Sequence, residues 1–446
     1  MTQSAAIVSL GCPKNTVESE NMLGVLKNGG FNIVNDISAA DIIIIHTCSF
    51  IKAARDESER CIKKALAVKN KRNSKVFVTG CLPQFLKDEI LKLFPKVDGY
   101  LGTGGLNNIS DLISNKTESA ICEAGGLNEY KTRILSSPLP YAYLKIAEGC
   151  DHRCSFCIIP ELRGKYKSRN IVSIVEEARA LAQAGVKELI IIAQDTTSFG
   201  VDVYGSFALG KLLSKLAEIK EFKWLRLMYA YPSSVNEELL EVMKEYQNIC
   251  SYIDMPVQHI SKKVLSAMKR PLNAAFAVKK IKSKIPDIVL RTSLITGFPG
   301  ETDKDVKELI NFIKDGWFGY AGVFEYCDNE KASSYKLKNK VMPEIAKERK
   351  ILIENAQYEV FKSQISKMKN AQTQILAENC IKDGDFYKIT GRTYFQSPEI
   401  DGNTILKSAN PLKTGEFYNV KIKGNRGYNI TAQQYAPFKA VRSEYR

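Results

Sequence analysis

Short apolar runs alternate with longer amphipathic segments through the first third of the chain. Three runs have the character of buried strands: Ala6–Leu10, Asp41–Ile45 and Lys75–Thr79. A helix is predicted after each of them, beginning at Thr16, at Ile51 and at about Leu86. Because strands covered on both faces are apolar runs separated by helices, residues 1–130 are predicted to form a doubly wound α/β domain.

The same alternation resumes at Tyr141 and continues to about Asn370. Six further strands are predicted at Tyr143–Ala147, Glu188–Ala193, Trp224–Met228, Tyr252–Met255, Val289–Ile295 and Gly322–Tyr326. Amphipathic segments such as Ile174–Ala184 separate them. Residues 141–370 are therefore predicted to be a second α/β domain, with its chemistry at the carboxyl ends of the strands.

From about Ala371 the pattern changes to short runs divided by Gly and Asp. Five strands are predicted there: Thr373–Ala377, Tyr387–Gly391, Thr404–Leu406, Tyr418–Lys423 and Tyr428–Thr431. Short strands at turn-rich spacing are typical of a small antiparallel β-barrel, which is the prediction for residues 371–446. Three domains agree with the length of 446 residues, which is too long for a single core.

Three cysteines, Cys150, Cys154 and Cys157, follow the first strand of the second domain at CxxxCxxC spacing. A structural zinc site normally has four ligands and disulfides need an even number, so neither fits three cysteines well. Three thiolates on one loop suit a four-iron cluster whose fourth iron stays open to a ligand. The alternatives are a zinc site with a distant fourth ligand, or three cysteines that are merely buried.

Another cysteine lies just after each predicted strand of the first domain: Cys12, Cys48 and Cys81. In an open parallel sheet the carboxyl ends of the strands share one edge, where ligands bind. These cysteines are therefore expected to converge and to hold a second open cluster, although cysteine is often a small buried residue. The remaining cysteines lack partners at ligand spacing and are interpreted as structural: Cys61, Cys122, Cys250, Cys327 and Cys380.

The composition is that of an ordinary globular protein, with 44% hydrophobic and 25% charged residues. The longest aliphatic run, Ile42–Ile45, is far shorter than the ~20 residues of a membrane span, so no membrane is expected. Eleven cysteines, an odd number, favour a reducing compartment in which thiolates bind metals. The expected location is the cytoplasm.

The net charge of +15 suggests an anionic partner such as RNA or the ribosome. The excess is greatest between residues 331 and 370, where ten Lys or Arg face four Glu. A solvated helix face would explain the same surplus, and the two interpretations remain open for this segment.

The CxxxCxxC motif, with the aromatic Phe156 before its last cysteine, resembles that of the radical S-adenosylmethionine enzymes. The resemblance implies a partial (βα)6 barrel, and a cluster whose open iron binds S-adenosylmethionine and cleaves it to a hydrogen-abstracting radical. It also implies cofactor-binding roles for Phe156, Gln194, Asp195, Gly297, Pro299, Gly300 and Glu301. The last four belong to a Gly-rich segment expected to line the S-adenosylmethionine pocket. His259 matches a family position without an assigned role.

A closer resemblance, to the methylthiotransferases, lies in the segments around the first three cysteines. They are Gly11–Glu20, Thr47–Ile51 and Gly80–Gln84. The pair Pro13-Lys14 is similar to the branch that acts on an aspartate of the small-subunit ribosomal protein numbered twelve, whereas the tRNA-modifying branch usually has Gln-Met there. His46 departs from the family's usual Asn. A neutral imidazole there would either hydrogen-bond a cluster sulfide or simply pack, and packing is its expected role. Pro398–Gly402 and the strands around it resemble the TRAM module.

The predicted function is methylthiolation of an aspartate β-carbon in that ribosomal protein, free or in the assembled ribosome. The resemblance implies two four-iron clusters, S-adenosylmethionine and an electron donor such as flavodoxin. Glu399, Ile400 and Asp401 are expected to offer acidic and apolar contacts to the basic ribosomal protein. The alternatives are methylthiolation of isopentenyladenosine in tRNA and, in another class, a non-catalytic RNA-binding protein with a structural metal site.

Overall fold

The computed structural model describes residues 2–114, 116, 119, 121, 124–127, 132–136 and 140–435. Cys122 and the end of the last predicted domain lie outside the described residues. In the described part of the chain, no helix has the length and apolar character needed to cross a bilayer.

The N-terminal domain is a parallel sheet covered by helices on both faces, as predicted. Its strands are β1 (Ser4–Ser9), β2 (Asn32–Ile33), β3 (Ile42–Thr47), β4 (Lys75–Gly80) and β5 (Gly99–Leu101), in the order β2-β1-β3-β4-β5. Its helices are α1 (Pro13–Asn28), α2 (Lys52–Arg72), α3 (Cys81–Leu86), α4 (Glu89–Leu93) and α5 (Ile109–Ile113). All six residues of β3 are buried, because separate apolar clusters cover the two faces of the sheet.

Two details of this domain differ from the sequence prediction. The edge strands β2 and β5 were missed, since they are only two and three residues long. The third helix does not begin near Leu86: α3 begins at Cys81 itself and ends at Leu86.

The central domain contains one parallel sheet built from the six predicted strands. They are β6 (Tyr141–Lys145), β9 (Glu188–Ile192), β10 (Trp224–Leu227), β11 (Ile249–Asp254), β12 (Val289–Thr296) and β13 (Tyr320–Glu325), in the order β13-β12-β11-β10-β9-β6. A short antiparallel hairpin of β7 (Ala147–Glu148) and β8 (Lys167–Ser168) was not predicted. It encloses the CxxxCxxC loop.

Helices of this domain cover the sheet on its outer side, as expected for a partial barrel, except Ile159–Arg163, which packs on α3 of the N-terminal domain. They are α6 (Ile159–Arg163), α7 (Ile171–Gln183), α8 (Val201–Tyr204), α9 (Leu209–Ala217), α10 (Glu237–Glu245), α11 (Lys262–Ala267), α12 (Ala274–Lys284), α13 (Asp303–Lys314) and α14 (Pro343–Lys367). The largest apolar cluster of the molecule lies between the sheet and these helices. Apolar side chains therefore fill the space between the sheet and the helices, and polar residues lie at the strand ends.

The C-terminal domain is a closed five-stranded barrel. Its strands are β14 (Gln372–Asp383), β15 (Phe386–Arg392), β16 (Thr404–Ser408), β17 (Phe417–Arg426) and β18 (Asn429–Gln434). The predicted small antiparallel barrel is confirmed, except that one of its pairs, β16 with β18, is parallel. A closed ring with an odd number of strands must contain at least one parallel pair.

Buried polar contacts join this barrel to the central domain. Glu188 on β9 accepts hydrogen bonds from Arg226 at 2.6 Å and from Arg392 of the barrel at 2.6 Å. Asp401 accepts a hydrogen bond from the Tyr252 hydroxyl at 2.5 Å and is only 1% exposed. The expectation that Asp401 contacts a partner was therefore wrong, since its carboxylate is used inside the molecule. Ile400 beside it is 47% exposed.

Candidate active site

One cavity of about 660 Å³ lies between the N-terminal and central domains. All six predicted cluster cysteines line it: Cys12, Cys48, Cys81, Cys150, Cys154 and Cys157. Three of the other predicted site residues, Phe156, Gln194 and Asp195, line the same cavity. The two triplets, almost seventy residues apart at their nearest, thus face one shared space.

The first triplet is assembled by tight turns at the strand ends. Gly11, at φ +94°, precedes Cys12, and a Cβ built on it would lie 2.6 Å from Cys48 Cβ. The Asn15 side chain donates to the carbonyls of Leu10 at 2.7 Å and Thr47 at 3.0 Å, which ties the two loops together. Only a glycine allows the Cys12 and Cys48 loops to approach this closely.

The second triplet lies on a loop that hydrogen bonds hold in place at its middle residue, Ser155. Ser155 donates from its backbone N–H to the carbonyl of Met268 at 2.9 Å and from its hydroxyl to that of Ala267 at 2.7 Å. The backbone N–H of Ser334 donates to the Ser155 carbonyl at 2.8 Å. These contacts hold the loop against two segments of the barrel.

The thiols are in surroundings that suit metal ligation. Burial raises the pKa of Cys81, Cys150 and Cys157 to about 12, so a bound metal must supply the positive charge that keeps them as thiolates. Among the described residues, no three His, Cys, Asp or Glu are grouped closely enough for a single metal ion. A four-iron cluster does not need that closeness, since each thiolate binds a different iron.

A buried ionic network, which the sequence analysis missed, links the two domains beside the first triplet. Glu18 accepts from Arg163 at 2.5 Å and from Lys145 at 2.7 Å. Lys145 also donates to Glu148 at 2.7 Å. Arg163 donates to Cys81 Sγ at 3.2 Å, which places a guanidinium beside the position of a cluster thiolate. Burial alone would raise the pKa of Glu18, but Arg163 and Lys145 hold it well below its ordinary value.

Two of the three histidines are buried and engaged by protein groups. His46 Nε2 lies 3.0 Å from Glu18 and its Nδ1 lies 2.8 Å from the Thr79 hydroxyl, so it supports the network. Burial lowers the pKa of His46, which favours the neutral imidazole. His259 Nδ1 accepts from the backbone N–H of Ile260 and of Ser261, both at 2.9 Å.

The wall beside the second triplet is aromatic and polar. His152 stacks on Tyr231 with ring centroids 3.5 Å apart and bonds Asp195 at 2.7 Å. Arg270 lies 4.2 Å from the Tyr231 ring and donates to Cys154 Sγ at 3.7 Å. Among the described residues Gln194 Oε1 has no hydrogen-bond partner, so this buried oxygen is an unused acceptor.

The Gly-rich segment lies behind the cavity wall, where its Phe298 belongs to the apolar cluster that packs against Phe156. Gly297, Pro299, Gly300 and Glu301 are not among the described residues that line the six-cysteine cavity. Glu301 accepts from the Gly297 N–H at 2.8 Å and from Arg349 of α14 at 2.9 Å. The segment thus turns toward α14, and Glu301 holds it there.

The cavity also contains a buried cation on α1. Lys14 is 7% exposed, and its ammonium nitrogen lies 2.9 Å from the centroid of the Tyr229 ring. Burial lowers the pKa of Lys14 to about 8, although the neighbouring Cys12 opposes this shift. Tyr229 is held at φ +61°, a strained conformation for a bulky residue.

The mouth of the cavity is apolar. Phe50, Ile51 and Phe324 line it and are 40%, 40% and 51% exposed. Large apolar side chains exposed around an opening are typical of a site that receives another molecule. Phe50 and Ile51 belong to the N-terminal domain and Phe324 to the central one, so both domains form the entrance.

Three family matches cover most of the chain. Residues 4–102 match the uncharacterized protein family UPF0004, residues 144–313 the radical SAM superfamily, and residues 371–434 the TRAM domain. A solved radical S-adenosylmethionine methyltransferase, TsrM from Kitasatospora setae, has a similar fold (TM-score 0.58, 12% identity, covering 86% of this chain and 81% of that one). Fold and site thus define a radical S-adenosylmethionine enzyme, the class whose cofactors are S-adenosylmethionine and four-iron clusters.

Similar proteins identify the family within this class to which the chain belongs. A ribosomal protein uS12 methylthiotransferase, RimO, of Endomicrobium trichonymphae is 57% identical over 96% of this chain and 98% of the relative. The protein of the same name from Clostridioides difficile is 41% identical over 95% of this chain and 97% of the relative. The chain belongs to the RimO family of radical S-adenosylmethionine methylthiotransferases.

Proposed function

We propose that this protein methylthiolates the β-carbon of an aspartate in ribosomal protein uS12. The observation that carries the proposal is the single cavity lined by both cysteine triplets. A target side chain in that space would be within reach of both. The names of the relatives at 57% and 41% identity support uS12 as the substrate.

The two triplets are proposed to hold separate four-iron clusters, one on Cys12, Cys48 and Cys81 and the other on Cys150, Cys154 and Cys157. The donor sets fit, because each offers three cysteine sulfurs and leaves one iron open. When bound, the clusters and S-adenosylmethionine supply the electron, the hydrogen-abstracting radical and the methylated sulfur. An electron donor such as flavodoxin and a cytoplasmic location belong to the same proposal.

The residues of the chain itself are proposed to stabilise charge at the cysteine triplets and to hold S-adenosylmethionine. Arg163 and Arg270 donate to cysteine sulfurs, one in each triplet, and so stabilise charge there. Gln194, Asp195 and the Tyr231 ring are proposed to hold S-adenosylmethionine beside the second triplet. The Gly-rich turn at Gly297–Glu301 supports that pocket from outside.

The domain limits proposed are 1–130 for the first-cluster domain, 141–370 for the radical domain and 371–446 for the TRAM domain. The last domain is only moderately basic, with eleven Lys or Arg against seven Asp or Glu. Tight RNA binding requires many cations that neutralise phosphates. The small excess of basic residues in this domain therefore favours a protein substrate over tRNA.

The test offers both substrates to the reconstituted enzyme, reductant and S-adenosylmethionine. One arm contains uS12, free or in small ribosomal subunits, and the other contains isopentenylated tRNA. Mass spectrometry should find a methylthio group on one aspartate of uS12 and none on the nucleoside. A methylthio group on the nucleoside alone would overturn the proposal in favour of the tRNA alternative.

A further inference from the structure

Lys14 differs from the two arginines of the cavity wall because its ammonium group has no hydrogen-bond acceptor among the described residues. It forms no ion pair with a described residue either, and its ammonium group contacts the Tyr229 ring. It is more than nine-tenths buried and lines the cavity. A buried, unpaired ammonium is costly unless a ligand completes it.

The other two cations in the cavity wall are already engaged. Arg163 donates to Glu18 at 2.5 Å and to Cys81 Sγ at 3.2 Å. Arg270 donates to the carbonyl of Pro256 and to Cys154 Sγ at 3.7 Å. Each triplet therefore has its own guanidinium, and compensation of cluster charge does not require Lys14.

The surroundings of Lys14 hold its position. It lies in the first turn of α1, two residues after Cys12. The Tyr229 ring covers one side of the ammonium group, and the positive φ of Tyr229 keeps the ring there. Strained backbone of this kind persists where the surrounding structure enforces it and clusters at ligand sites. The uncovered side of the ammonium remains available within the cavity.

We propose that Lys14 binds the side-chain carboxylate of the target residue and so selects an aspartate over its amide. This inference rests on the proposed function. In aspartate the carboxylate carbon is bonded directly to the β-carbon. When Lys14 holds the carboxylate, the position of the β-carbon is therefore fixed as well. The reacting carbon then lies beside the first triplet, because Lys14 and Cys12 share one helix start.

The test is a double-mutant cycle between enzyme and substrate. Binding of uS12 and of its target Asp→Asn variant is measured for the wild-type holoenzyme and for Lys14→Met. The wild type should bind the Asp form about 10- to 100-fold more tightly, the range for a charge-assisted hydrogen bond. Lys14→Met should lose this preference, and Lys14→Arg should retain most of it because the charge remains.

Iron content distinguishes substrate binding from cluster support. Lys14→Met should keep the full iron content, and Lys27→Met, on the exposed end of the same helix, should behave as the wild type throughout. A Lys14→Met enzyme that still prefers Asp, or that loses iron, would overturn the inference alone. A wild type that modifies no aspartate of uS12 would overturn the proposed function, whatever the Lys14 variants do.

Discussion

Gly11 determines how closely the loop of Cys12 approaches the loop of Cys48. A Cβ at this position would lie 2.6 Å from Cys48 Cβ and 2.9 Å from its Sγ, at φ +94°. Gly11→Ala should therefore displace the first triplet and lower the iron of the reconstituted enzyme to about half, since the second triplet is untouched. Iron and sulfide analysis measures this loss.

Gly30 provides the matched control. It has a similar φ of +87°, but a Cβ there would meet no atom within 4 Å. Gly30→Ala should cost about 1 kcal/mol of stability from backbone strain alone and leave the iron unchanged. Full iron in Gly11→Ala would show that the close approach of the loops is not needed for the cluster.

The cysteines of the site were predictable from the sequence, whereas its charged residues were not. Strand ends were enough to predict that three cysteines of the first domain would converge, and spacing that three others would share one loop. That both triplets line one cavity was not predicted. Glu18, Arg163 and Lys14 were missed as parts of the site because charged helical residues are normally solvated. In α1, most of the helix from Lys14 to Leu26 is buried despite its polar residues, so amphipathic periodicity gave no signal. Their burial depends on packing between α1 and the central domain.

At the scale of elements, the cluster loops should act independently. Replacing Cys150, Cys154 and Cys157 together by Ala should leave about half the iron and sulfide, and replacing Cys12, Cys48 and Cys81 should leave the other half. Single Ala variants of Cys61, Cys250 and Cys380, which do not line the cavity, should retain all of it. Loss of all metal from one triple variant, or of none from the other, would show that the triplets do not hold separate clusters.

Elements were predictable where they were long and apolar. The six strands of the central sheet came directly from apolar runs, whereas the hairpin of β7 and β8 did not, since two-residue strands carry no pattern. The start of α3 at Cys81 was missed because Pro83 lies in its first turn, where proline is tolerated. The parallel pair β16 and β18 follows from closing five strands and was deducible from their number.

Between whole domains, the ion pairs of Glu188 join the TRAM barrel to the central domain. It is fully buried between Arg226 and Arg392. Glu188→Gln should lower the free energy of unfolding by about 3–5 kcal/mol at pH 7, because buried Arg226 loses its carboxylate partner while Arg392 retains Glu378. Denaturant titration measures the change, and Glu241→Gln, in an exposed pair with Lys244, should cost under about 1 kcal/mol.

The pH dependence of this effect follows from the direction of the pKa shift. Burial alone would raise the pKa of Glu188, but Arg392 and Arg226 hold it below its ordinary value. A lowered pKa gives stability that is present above the unfolded value of about 4.3 and is lost as the pH falls through the folded value. The difference between wild type and Glu188→Gln should therefore shrink below about pH 4. A constant difference across that range would contradict the assigned ion pairs.

Both triplets are expected to act on one target inside one cavity. The most direct measurement is the mass of uS12 after incubation with reductant, S-adenosylmethionine and either the wild type or one of the two triple-Ala enzymes. The wild type should add a methylthio group to a single aspartate, and neither triple variant should add one. A methylthiolated aspartate formed by an enzyme lacking either triplet would contradict the claim.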